Sequence, residues 1–226
     1  MRLLATCLGI ILACVSLAIA QPPLQSNYYP LEIGHRWTYR AIDPNAPQPN
    51  ADAKKKVVIE IEREAPYTEE TLKDGTKIQK KFTGYLLKMT SGDKVTQDHV
   101  IVLPEGVHRI HASGTPMNPP LLFFKLDALK PGVSWNCNSV SGNTILKGTF
   151  TASIDDVTLH DVTIQKETMP KQTFKTYRIS FTNNKKGEDA VEIDYWFAHD
   201  IGMIKQRVKA RNHESVLELE KFEKGK

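Results

Sequence analysis

Apolar and polar side chains alternate with a period of two through most of this chain, most regularly over residues 190–211, AVEIDYWFAHDIGMIKQRVKAR. Val191, Ile193, Tyr195 and Phe197 alternate with Glu192, Asp194, Trp196 and Ala198, the spacing by which a strand sorts its side chains onto two faces. His199, Asp200, Ile201 and Gly202 form a short connection in which Gly202 can take a positive φ. The return sets Ile204 and Val208 against Lys205, Arg207 and Lys209. This stretch predicts a long β-hairpin.

The same pattern recurs upstream. Residues 56–64 alternate Val57, Ile59 and Ile61 with glutamates, and residues 77–90 carry apolar side chains on both faces. Residues 99–103 and 107–112 flank Pro104-Glu105-Gly106, a compact turn signal between two strands. Further strands are predicted at 144–154, 158–165, 172–182 and 215–222, with Asp155-Asp156 as a plain turn. Residues 66–72 have room for one helical turn, and 42–53, rich in Pro, Asn, Asp and Ala, read as an exposed loop. The run from Leu121 to Leu126, after a proline-broken stretch at 114–120, suits either a buried strand or a short core helix. Strands joined mostly by tight turns favour up-and-down neighbours, and a large antiparallel sheet curls, splits or closes. The fold class is therefore all-β, with a single antiparallel, strongly curved or barrel-like sheet preferred over a two-layer β-sandwich.

The first twenty residues, MRLLATCLGIILACVSLAIA, break this pattern. A basic start at Arg2, an apolar run and a small-residue Ala18-Ile19-Ala20 end make a secretory signal peptide cleaved after Ala20. The alternatives are an uncleaved anchor helix, or lipidation at Cys14 through Ile11-Leu12-Ala13-Cys14. Residues 21–226 then form a single β-rich extracytoplasmic domain, secreted or periplasmic. Cleavage removes Cys7 and Cys14, so Cys137 is left without a partner for an internal disulfide and reads as a small buried apolar side chain.

Tyr28-Tyr29-Pro30-Leu31, Gly34, Trp37 and Tyr39 open the mature chain. Pro131-Gly132-Val133-Ser134-Trp135 marks its centre, and Tyr195-Trp196-Phe197-Ala198 with Gly202 and Lys205 marks its end. The set resembles a group of uncharacterised bacterial secreted proteins and lipoproteins. The resemblance implies an extracytoplasmic β-rich domain and brings no catalytic residues with it.

Charge and motifs narrow the function by exclusion. The 30 Lys and Arg against 26 Asp and Glu leave a formal charge of +4. They are interspersed, without the basic stripe and stacking aromatics of a nucleic-acid interface. Charged residues such as Lys205, Arg207, Glu218 and Glu220 interrupt the long uncharged lipid face that an outer-membrane barrel needs. After signal cleavage the chain is thus not expected to span a membrane. No G-x-S-x-G, H-E-x-x-H or phosphate-cradling glycine loop occurs. His108 and His111, three apart, fall on opposite faces of a regular strand, and Asp155-Asp156 lacks the spaced ligands of a calcium loop. His199-Asp200 is a base and a carboxylate, but adjacent residues rarely face each other. No catalytic residue, metal site or cofactor is assigned. The leading expectation is a non-enzymatic module that binds an apolar, amphiphilic or lipid-like ligand, or a cell-envelope partner. Trp37, Tyr39 and Trp196 are its candidate ligand-binding residues. A hydrolase with a scattered site and a structural or assembly subunit are the alternatives.

Overall fold

Fourteen strands are found among the described residues of the computed structural model, which are 27–42, 44, 56–74, 76–126, 130–183, 185, 190–211 and 213–225. The expected signal peptide with Cys14 and Ala20, most of the expected loop at 42–53, and residues 186–189 lie outside them. Twelve strands close into a barrel. In chain order these are β1 (Arg36–Ile42), β2 (Lys56–Glu64), β5 (Gly84–Ser91), β6 (Lys94–Leu103), β7 (Gly106–Ala112), β8 (Thr115–Lys125), β9 (Ser134–Ser141), β10 (Thr144–Ile164), β11 (Glu167–Thr182), β12 (Val191–Ala198), β13 (Gly202–Ala210) and β14 (His213–Glu223). Each pairs antiparallel with its sequence neighbours, and β1 closes the ring by pairing with both β2 and β14. The remaining two, β3 (Tyr67–Lys73) and β4 (Thr76–Phe82), form a separate, largely exposed ribbon inserted between β2 and β5.

The curved-sheet expectation therefore resolves into a closed barrel rather than a sandwich. Several local readings are corrected. Residues 66–72 are strand, because Tyr67 to Lys73 pair residue by residue with Phe82 to Thr76. Residues 77–90 divide at Thr83 into β4 and β5. Leu121 to Lys125 are strand, and β8 begins upstream at Thr115 in spite of Pro116, Pro119 and Pro120. Prolines donate no N–H, and β8 meets β9 in register only at Met117 and Asn118. Side chains hold the seam elsewhere: Ser139 donates its hydroxyl to the Pro119 carbonyl at 2.7 Å, and Trp135 its indole N–H to the Leu122 carbonyl at 3.0 Å.

A twelve-stranded ring encloses more space than one layer of side chains fills, and the two sides of the interior differ. On the β9–β11 side, Trp135 stacks on Phe150 at 5.3 Å, and Phe150 packs at a tilt against Phe181 at 5.0 Å. Gly148 makes this possible: a Cβ there would lie 2.1 Å from the Thr182 carbonyl oxygen and 2.7 Å from the Phe181 ring. Cys137, a buried free thiol, belongs to the same core.

The hairpin of β10 and β11 outruns the barrel wall, and Asp155-Asp156 lie within β10 rather than in a turn. Its far half is a strap laid over β12, β14 and β1. Trp196 donates its indole N–H to Asp155 Oδ2 at 3.0 Å, and Arg40 reaches the His160 carbonyl at 3.0 Å. Thr163 and Ile164 run parallel to Lys221 and Phe222, and Gln165 N–H bonds to the Phe222 carbonyl at 2.8 Å.

On the face of β12 opposite Tyr195 sits a buried charge cluster. Asp194, its side chain 3 % exposed, accepts hydrogen bonds from Arg178, Ser180 and Arg207 at 2.5–2.9 Å. Burial pushes its carboxyl pKa up, but those three donors outweigh burial and hold it below its ordinary value. Removing one partner of a buried pair leaves the other uncompensated. Both arginines keep about a third of their surface in water, which lessens the penalty. Asp194→Ala should cost roughly 2–3 kcal/mol, read as a lower urea midpoint. The carboxylate's contribution should be complete above its unfolded pKa near 3.8 and fade as pH falls through the lower folded value.

Candidate functional site

The β1, β2, β5–β7 and β12–β13 side of the barrel is hollow. A cavity of about 210 Å3 lies there, and the chain's entry segment closes one end of it. Asn27 is anchored by the Asp200 N–H to its carbonyl at 2.7 Å. Tyr29 then inserts among Phe123, Phe124 and Phe197 with ring centroids 5.7–5.9 Å apart. Gly202, at φ 89°, lets Pro30 and Trp37 come close, since a Cβ there would lie 3.3–3.4 Å from them.

The walls follow from strand alternation. β1 contributes Trp37 and Tyr39; Ile59, Leu87 and Met89 come from the next two strands of the ring. Phe123 and Tyr195 complete the aromatic side. The polar tips of the β1 aromatics are already engaged. The Trp37 indole donates to the Ile201 carbonyl at 2.5 Å and the Tyr39 hydroxyl to the Met203 carbonyl at 2.9 Å. Both therefore offer the cavity ring surface.

Charge enters the cavity at Arg109 on β7 and Asp98 on β6. Arg109 Nε stands 3.3 Å from Asp98 Oδ2, and its Cζ lies 4.8 Å over the Phe123 ring. Asp98 Oδ1 accepts the Ser113 N–H at 2.8 Å. Burial acts against the Arg109 charge, yet Asp98, Tyr195 and Tyr29 outweigh it and the guanidinium pKa is raised. The phenols stay neutral. Burial pushes Tyr29 up to about 12 against the pull of Arg109, and raises Tyr39 and Tyr195 as well.

Of the three residues proposed from the sequence, Trp37 and Tyr39 come together on the cavity wall, whereas Trp196 is not among the lining residues. Trp196 shares the face of Asp194, opposite Tyr195 and Phe197. It is buried under the strap between Arg178 at 5.3 Å and Lys205 at 5.8 Å. Sequence reasoning passed over Arg109, Asp98 and Tyr29. The available signal was a charged residue on the inward register of each of two neighbouring strands.

The other candidate chemistry lies elsewhere. His199 and Asp200, although adjacent, do face each other, with Nδ1 and Oδ2 2.9 Å apart, but both side chains are more than half exposed and neither lines the cavity. The sharp turn, with Asp200 at φ 60°, brings them together. The alternation expected to separate His108 from His111 is broken by a register shift between Arg109 and His111, where the extra residue returns both to one face. His111 stacks on His99, and His108 faces Glu105. Among the described residues, no group of three or more His, Cys, Asp or Glu is placed to hold a metal ion.

No protein-family model matches the chain, nor does any curated protein. Two solved structures do. One is described as an exported protein with a YmcC-like fold from Bacteroides fragilis (9 % identity, TM-score 0.44). The other is described as a lipoprotein from Parabacteroides distasonis (8 % identity, TM-score 0.43). Each alignment covers 87 % of this chain and 98 % of the other.

His35, His99 and His108 all have pKa values lowered, chiefly by burial, so the fold favours their neutral forms. Unfolded histidines take up protons as pH falls past about 6.5, before the folded ones do. Stability should be level above that pH and decline below it, with a lower urea midpoint at pH 5.5 than at 7.5. In His99→Gln the decline should be shallower.

Proposed function

We propose that this protein is an exported, non-catalytic binding module that takes an apolar or amphiphilic small molecule into the barrel. The single observation that carries the reading is the cavity itself, walled by Trp37, Tyr39, Leu87, Met89, Phe123 and Tyr195. A concave, mostly apolar space with a few convergent polar groups is the usual form of a small-molecule site. Here the indole and phenol tips that would otherwise need water already bond to main-chain carbonyls.

The leader peptide supports export, and the charged outer wall, with Asp194, Arg178 and Arg207, suits a barrel that works in water. At about 210 Å3 the cavity is smaller than the roughly 300–1,000 Å3 of pockets for drug-sized ligands. The ligand, or the part of it that enters, is accordingly small: one ring, or a short to medium alkyl chain. Neither His199 nor His35 lines the cavity, and among the described residues its wall carries no histidine base of the kind a scattered hydrolytic site would use.

Trp37 is the one of the three tryptophans that lines the cavity, so it reports occupancy. Titration with octanol or methyl octanoate should change tryptophan emission saturably, and Trp37→Phe should abolish that change while Trp196→Phe keeps it. At a hundredfold excess over Kd, ligand should add about 2.7 kcal/mol to unfolding stability. No saturable change with either compound, together with native mass spectra showing no retained small molecule in protein from its own host, would sink the reading.

A further inference from the structure

We infer that the cavity selects ligands bearing a carboxylate, which the free edge of the Arg109 guanidinium receives. This rests on the ligand-binding reading above and narrows it to amphiphilic acids.

The polar groups of the wall differ in what already occupies them, and Arg109 is the one with a positive charge, beside the neutral Tyr29, Ser113 and Gln206. Trp37 and Tyr39 are bonded to main-chain carbonyls, and Tyr195 shares a side-chain hydrogen bond with Gln206. Asp98 is held between Ser113 N–H and Arg109. Arg109 remains. Its Nε is buried without a hydrogen-bond partner, since Asp98 Oδ2 at 3.3 Å is at ion-pair distance only. Its terminal nitrogens make no hydrogen bond among the described residues. The side chain stays 23 % exposed although it sits among the aromatics of the cavity wall.

A guanidinium has five donors in a planar fork that matches the two oxygens of a carboxylate. Stacked on Phe123 at 4.8 Å and tethered by Asp98, the fork is already oriented. Its arrangement needs no reorganisation when an acid enters. Asp98 opposes a second anion, but it engages the Nε side and leaves the terminal edge open. No other cationic side chain lines the cavity among the described residues. An alkyl ester would fill the same apolar space while accepting through a neutral carbonyl. An alkylammonium would meet the guanidinium as a like charge.

The test titrates the purified protein at pH 7.5 with octanoate, methyl octanoate and octyltrimethylammonium, reading Kd by calorimetry. Octanoate should bind roughly tenfold or more tighter than the ester, as expected for a charge-assisted pair, and the ammonium more weakly than either. The double variant Asp98→Asn/Arg109→Gln replaces the ion pair with two neutral amides, so that no charge is left unpaired in the wall. It should bind octanoate no better than the ester. Asp98→Asn alone should tighten octanoate by removing the competing anion. Equal affinity of acid and ester for the native protein, or an octanoate preference that survives the double variant, overturns the inference while leaving the binding reading intact. If none of the three binds, the binding reading falls and the inference falls with it.

Discussion

Closure of the sheet through β1 is the constraint on which the other features depend. β1 pairs with β2 along one edge and β14 along the other, so the strand nearest the start of the described chain is locked to the last. An open sheet would leave two rows of unpaired main-chain donors and acceptors, each row a template for association. Closing the ring removes both edges and fixes its circumference at twelve strands. That circumference then dictates the interior. A ring of this width cannot be filled by one inward layer of side chains, and the surplus space has to be filled or left hollow.

Both outcomes occur in the same barrel. Around β9–β11, tryptophan and phenylalanine rings pack together across three strands, and Gly148 removes the one side chain that would prevent it. Around β1 and β5–β7 the inward residues include Leu87, Met89 and Ala112, which leave volume between them, while the entry segment plugs one end with Tyr29 and Leu31. The outer wall is treated just as unevenly. The overlong β10–β11 hairpin folds back over β12–β14 and covers Trp196, and Asp194 is buried on the same face, on the side a simple barrel would leave to solvent. Burying Asp194 is tolerable because two arginines and a serine saturate its oxygens.

Legibility in the sequence followed the range of the interactions. The β12–β13 hairpin was readable to within a residue, because alternation is a local property and Gly202 provides the positive φ its turn requires. Trp37 and Tyr39 were recognisable as sharing one face of a strand. Errors arose where the local signal was outvoted. Residues 66–72 lack an apolar stripe of either period, and only pairing with residues 76–82 makes them strand. Asp155-Asp156 carries turn composition yet lies in mid-strand, where Thr176 donates its hydroxyl to the Asp155 carbonyl and Trp196 its indole N–H to the Asp155 carboxylate.

From the order of residues alone came the all-β class, the antiparallel meander and the two faces of most strands, because each depends on neighbours one or two places apart. The tertiary structure alone decided which face of β12 looks inward, and so why Tyr195 lines a cavity while Trp196, one residue on, lies beneath a strap. It also decided that Asp98 and Arg109, eleven positions apart, meet across one strand pair inside a hollow. Closure and the fold-back of the long hairpin set those juxtapositions. Both depend on the curvature summed over twelve strands, which no local window of sequence contains.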